Sequence, residues 1–211
     1  MEDQQTAYRL FCQRQTQLPV SYQDWYLDAV CEGGSWSAVL SGDAADPVAV
    51  WPFFVKKKWG FRYATMPPFV KYMGPWEATP SKDLGAQHAV LQELLVKMPR
   101  LDGFMQNFHY RLQNWLPFYW NGFRQETRYT YLLNIQNTDA VFRGINRNMR
   151  RNILKAEERV RLEYSDDAHR FFVLNALSFA RKGLKPPFSQ QAFLRHDAAL
   201  DHFDLTIFRK T

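Results

Sequence analysis

Two β-rich runs, residues 36–40 and 48–55, lie on either side of the turn signal Ser41-Gly42-Asp43. Apolar runs of this length, bounded by turn residues, read as strands, and a pair across so short a break reads as a hairpin. A third run, 61–66, follows Lys56, Lys57 and Lys58, which suit a solvated strand end, and it stops at Pro67-Pro68. Helical signals surround this sheet. Residues 7–13 and 22–31 read as helices, the second with Ser21 as its N-cap and Gly33-Gly34 as its stop. Residues 83–98 put Leu84, Val90, Leu91, Leu94, Leu95 and Met98 at amphipathic spacing, and Pro99 closes that helix. Residues 103–110, 123–125 and 129–135 read as further strands. Beyond Thr138 the period turns helical, because Ile145, Met149, Ile153, Ala156 and Val160 recur every three or four residues. A short strand over 161–164, helices over 166–182 and from Ser189 to 200, and a strand over 203–208 complete the order. The expected fold class is α+β, a mixed sheet of five or six strands flanked by helices, with one boundary near residues 136–140.

Composition narrows the function classes. Apolar residues make 46% of the chain and charged residues 23%, which is a globular balance and excludes global disorder. No uncharged apolar run approaches the ~18 residues of a membrane span. The first residues lack the basic and apolar regions of a secretory signal, so the expected location is cytoplasmic. Cys12 and Cys31 form neither a disulfide framework nor a metal motif, and His88, His169, His196 and His202 have no ligand spacing with them. No metal is expected. P-loop, HExxH and Ser-x-Gly elbow patterns are absent from the sequence, which removes the matching NTPase, zincin and hydrolase classes.

Charge and aromatic residues are unevenly placed. The net charge is +6, and residues 141–161 hold seven basic residues against only Glu157 and Glu158. One helix therefore carries nearly all of the excess. Arg147, Arg150, Arg151 and Lys155 lie within about two turns, off the apolar stripe. Such a face either is simply solvated or holds a phosphate or carboxylate ligand. Seven of the sixteen residues in 108–123 are Phe, Tyr or Trp. They either build a bulky core or line a ligand groove.

The element order, with the segments PPFVKYMGPW (67–76), TRYTYLLNI (127–135) and RNMRRNILKAE (147–157), resembles the FemAB-like branch of the GNAT acyltransferases, which includes the BioF2-like acetyltransferase proteins. In that family an arginine helix of the form R-x-x-I-x-x-A follows a strand; the matching residues here are Arg150, Ile153 and Ala156. The resemblance implies a GNAT-like mixed sheet flanked by helices over 1–137 and the beginning of a second GNAT-like domain over 138–211. It implies transfer of an acyl or aminoacyl group, from acyl-CoA or aminoacyl-tRNA, to an amine of a small molecule or peptide. The Gly-rich turn [QR]-x-x-G-x-[GA], which holds the CoA pyrophosphate on backbone N–H groups in related enzymes, is absent from this sequence. In two-domain members that work falls to the second domain.

The residues expected to serve this chemistry are few. His109 is the candidate catalytic base, since its ordinary pKa of about 6.5 suits an amine proton; it also reads as a packed histidine. Tyr72, Trp76 and Trp120 are candidates for the acceptor wall, and Arg147, Arg150, Arg151 and Lys155 for an anionic ligand. A different class remains open. A basic helix with stacking aromatics also describes an RNA- or tRNA-binding module. An unfinished second domain would leave a sheet edge for a homodimer or another partner subunit.

Overall fold

The structure is a computed structural model that describes residues 2–15, 17–160 and 165–202. The hairpin read from the sequence is its centre. β1 (Ser35–Gly42) and β2 (Pro47–Lys58) pair antiparallel, with Trp36 opposite Phe54 and Val39 opposite Trp51. β2 turns directly into β3 (Phe61–Thr65) through Trp59 and Gly60, both at positive φ (52° and 84°). Two residues at positive φ give the turn whose twist matches antiparallel strands. The two-residue β4 (Trp76–Glu77) pairs with β2 at Ala49 and Val50, and β5 (Gly103–Phe104) lies parallel to β3. The result is a five-stranded mixed sheet in the order β1-β2-β3-β5, with β4 beside the far end of β2.

Strand side chains alternate between faces, and both faces are covered. On one, Ala38, Leu40, Val50 and Phe54 pack with Tyr8 and Phe11 of α1 (Glu2–Arg14) and with Tyr26, Leu27 and Val30 of α2 (Asp24–Val30). On the other, Val39, Trp51, Phe53 and Val55 pack with Leu91 and Leu94 of α3 (Leu84–Lys97) and Phe118 of α4 (Leu116–Trp120). Burial on both faces is why residues 48–55 read as one unbroken apolar run. Pro52, which has no N–H to give a neighbour, sits where β2 is between its β4 and β3 pairings.

The later helices are α5 (Thr138–Gly144), α6 (Arg147–Glu157), α7 (Ala168–Ala180) and α8 (Gln190–His202). Asn137, Asn146 and Asp167 cap the first three, each accepting a backbone N–H three residues on. α8 packs on α2, and α7 on α8. Ser189 caps α8 at the Ala192 N–H and donates its hydroxyl to Glu32.

The mixed sheet flanked by helices agrees with the α+β expectation, but several elements differ. The strand expected over 103–110 ends at Phe104, because Met105 to Tyr110 fold back as a loop. The strands expected over 123–125 and 129–135 do not form. Tyr129 is 90% and Tyr131 96% exposed, and no described strand lies beside them. High β-propensity describes fitness for a pleated neighbour, and without one the ladder has nothing to bond. Gln23, rather than Ser21, stands at the N-cap of α2, because a 3-10 turn (Val20–Tyr22) precedes it. The expected strands at 161–164 and 203–208 fall outside the described residues.

Gly74 is a tight point of the fold, with φ +123° and a position where a Cβ would press into the Phe108 ring. Gly74→Ala adds overpacking to a positive-φ backbone cost and should destabilise the protein by about 2–5 kcal/mol. Gly60→Ala, also at positive φ but in open space, should cost about 1–2 kcal/mol from the backbone alone. Urea midpoints measure both, and a Gly74→Ala effect no larger than that of Gly60→Ala contradicts the close packing.

Candidate functional site

Two loops meet over the middle of the sheet. Residues 105–110 are tied to β2 by Gln106, whose Oε1 accepts from Trp51 Nε1 at 2.7 Å while its Nε2 donates to the Pro52 carbonyl at 3.1 Å. The side chain bonds β2 in the gap between β4 and β3. The second loop, between β3 and β4, is joined to the first. Met73 N–H donates to the Asn107 carbonyl at 2.8 Å, and Asn107 Nδ2 donates to the Lys71 carbonyl at 3.3 Å. Gly74 lets the chains approach this closely.

His109 lies where the loops join and is only 5% exposed. Tyr72, Trp76, Tyr22 and Tyr110 surround its ring, with centroids 4.5, 5.3, 6.4 and 4.1 Å away. Burial lowers its pKa below the ordinary histidine value, and the Arg111 charge adds to the effect. His109 Nδ1 accepts the Arg111 backbone N–H at 3.2 Å. In the neutral ring the proton then resides on Nε2, which makes the imidazole a donor at that atom.

The same residue lines two cavities. The larger, about 760 Å³, runs along residues 104–128 past Gln106, Phe108, Trp115, Arg124 and Arg128. The smaller, about 90 Å³, is walled by Trp76, Glu77, Gln87, Arg111 and Asn114. Arg111 stacks over Trp76, its guanidinium carbon 5.1 Å from the ring centre. Burial raises the pKa of the Glu77 carboxyl. Among the described residues neither Glu77 nor Arg111 takes part in a salt bridge.

His109, Tyr72 and Trp76, chosen from the sequence, thus stand together. Trp120 does not join them. It is 62% exposed, edge-on to His88 at 5.2 Å, and lines neither cavity. Arg147, Arg150, Arg151 and Lys155 all fall on α6, which contributes nothing to either wall. α6 has no buried residue, and its four cations pair with no carboxylate among the described residues. Sequence reasoning missed Glu77, Arg111 and Gln106. The clue to Arg111 was that it is the single cation within residues 108–123. Glu77 and Gln106 had no comparable signal. Burial pushes the Cys12 thiol up to about 12 and the Cys31 thiol up as well, so neither is an activated nucleophile. Among the described residues no three His, Cys, Asp or Glu side chains gather as metal ligands, and no helix is long and apolar enough to cross a membrane.

No protein-family model matches this sequence, and no curated protein or solved structure matches it.

The buried histidines give a pH dependence with a definite sign. His109 and His196 both have folded-state pKa values below 6.5. Unfolding then takes up protons between the folded value and the unfolded value of about 6.5, so stability is complete above that pH and declines below it. The urea midpoint should fall from roughly pH 7 to roughly pH 5, and the double variant His109→Asn, His196→Asn should lose most of this slope. An unchanged slope in the double variant contradicts the assignment.

Proposed function

We propose that the chain is an N-acyltransferase in which the larger groove takes the acyl donor and the smaller cavity the amine. The observation that carries this reading is that His109, with Leu112, Gln113 and Asn114 after it, forms part of the wall of two cavities of unequal size. Group transfer needs two substrates held side by side, with hydrogen-bond donors placed where the oxyanion develops. The FemAB-like GNAT resemblance supports the same class, with 138–211 belonging to a second GNAT-like domain and the cytoplasm as the location where its donors occur. Arg124 and Arg128 suit the phosphates of acyl-CoA or aminoacyl-tRNA.

The chemistry follows from the charges. Glu77 carboxylate takes a proton from the bound ammonium, and a carboxyl pKa raised by burial makes it the stronger base. The freed amine attacks the acyl carbonyl carbon, a C–N bond forms, and the carbonyl π pair moves to oxygen. His109 Nε2–H donates to that oxyanion. Collapse breaks the C–S bond of a thioester or the C–O bond of an aminoacyl ester. Nitrogen loses two protons in passing from ammonium to amide: the first, taken by Glu77, is released to solvent, and the second, lost after the C–N bond forms, leaves on the departing sulfur or oxygen. His109 then acts as donor, in place of the base expected from sequence, because Arg111 N–H occupies its Nδ1.

The test is amide formation from acetyl-CoA or alanyl-tRNA with a panel of primary amines. His109→Ala should lower kcat by about 10²–10³, the loss of one oxyanion donor. Glu77→Gln should lower it by about 10²–10⁴ and flatten the acid limb of the pH profile. Absence of transfer from either donor overturns the enzyme reading.

A second reading, an RNA-binding module or partner subunit, is favoured by the four cations of α6, which pair with no carboxylate among the described residues. If these bind phosphates of a single strand, the log–log salt slope of RNA affinity should be about −3. Replacing all four with Gln should bring it near zero. Affinity that does not change with salt contradicts this reading.

A further inference from the structure

The smaller cavity has an unusual electrical character. Glu77 and Arg111 line the same space of about 90 Å³, and neither is paired with the other or with any other charge among the described residues. Arg111 is an exposed residue, and an exposed ion pair gains little, so the two charges need not close on each other. Glu77 is fixed in β4 beside Ala49 of β2, while Arg111 is drawn onto the Trp76 face. A guanidinium stacked on indole keeps its N–H edge free for a bidentate partner, and a carboxylate fits that fork.

Two of the neutral polar groups in the wall, Asn114 and Gln87, are already committed, and His109 and Gln113 complete the polar lining. Asn114 Oδ1 meets His88 Nε2 at 3.1 Å, Asn114 Nδ2 donates to Gln87 Oε1 at 3.5 Å, and Gln87 Nε2 donates to the Ser81 carbonyl at 2.6 Å. The charged groups of the lining are one anion, Glu77, which also accepts a hydrogen bond from the Ser81 backbone, and one cation, Arg111. The ligand they complement carries one ammonium and one carboxylate, close together. The volume is well below the roughly 300–1,000 Å³ typical of sites for whole cofactors or drug-sized ligands.

We infer that this cavity is a head-group site for a free α-amino acid, with Arg111 holding the carboxylate and Glu77 the ammonium. The assignment deepens the acyltransferase reading by naming the acceptor as an amino acid, whose bound ammonium sits at the proposed base; it rests on that reading only for what happens after binding. A peptide N-terminus offers an ammonium without a carboxylate on the same carbon, and so leaves Arg111 unpartnered.

Calorimetric titration of the full chain, with no acyl donor present, tests the assignment. The probes are L-alanine, L-alaninamide, which lacks the carboxylate, and propionate, which lacks the ammonium. L-Alanine should bind, and each analogue should bind about tenfold more weakly or worse, since each leaves one charge unmatched. Arg111→Gln should remove the preference for alanine over alaninamide, and Glu77→Gln the preference for alanine over propionate. The comparison of probes on the unaltered protein stands even if a variant folds poorly. Equal binding of all three probes overturns the site, as does no binding of L-alanine up to about 10 mM. Alaninamide binding better than alanine overturns it in favour of a peptide N-terminus. Amino-acid binding without acyl transfer removes the enzyme reading and leaves this site standing. Transfer to alanine and alaninamide alike does the reverse.

Discussion

The side chain of Gln106 holds the middle of the molecule together. β2 must leave its β4 partner after Val50 and meet β3 from Phe54, and between these points its edge has no strand beside it. Buried backbone groups left without partners cost stability comparable to a lost hydrogen bond. Gln106 fills the gap at the Pro52 carbonyl, and Pro52 has no N–H needing a partner. The same amide takes the indole N–H of Trp51, a fully buried ring. Three residues later comes His109. A requirement of the sheet therefore fixes where the imidazole lies, and the site inherits the rigidity of the central strand.

That placement sets the electrostatics. Aromatic rings on several sides give a neutral imidazole good packing and an imidazolium poor solvation, so the ring stays neutral. Arg111 contributes twice, through a backbone N–H that fixes the tautomer and a charge that opposes protonation. Its guanidinium is then held on Trp76, away from the ring it polarises. Glu77, next in sequence to Trp76, stays partly desolvated without a cation against it. Burial thus moves the two groups in opposite senses, the carboxyl up and the imidazole down, at the edge of one cavity.

The hairpin was legible because residues 48–55 carry the strongest apolar run in the chain and a turn precedes them. α3 was legible from its spacing, with Asp83 accepting the Gly85 N–H at its start. The loop at 67–76 was legible from its prolines. The meeting of that loop with His109 rests on the Met73–Asn107 bond and the Gly74–Phe108 approach, which join segments more than thirty residues apart and leave no local pattern. Residues 129–135 misled for the opposite reason. Their alternation is a valid strand pattern, but pairing depends on an available edge. The helix that carries Arg147, Arg150, Arg151 and Lys155 was legible from its apolar spacing. Spacing says nothing about what the helix confronts, and α6 stands outside both cavities.

The C-terminal helices reach the site through one strained residue. Phe69 has φ 64°, a backbone region that bulky side chains seldom occupy and that costs on the order of 1–3 kcal/mol. It is held there by contacts from far along the chain. Phe188 lies 4.4 Å from its ring, His196 of α8 stacks at 4.4 Å, and the Tyr26 hydroxyl of α2 donates to its carbonyl at 3.1 Å. Three residues beyond Phe69 is Tyr72, and seven beyond is Trp76, both packed on His109. The docking of α8 on α2 therefore does more than bury apolar surface. It offsets the strain that starts the loop in the right direction, and so couples the last described helix to the aromatic wall around the imidazole.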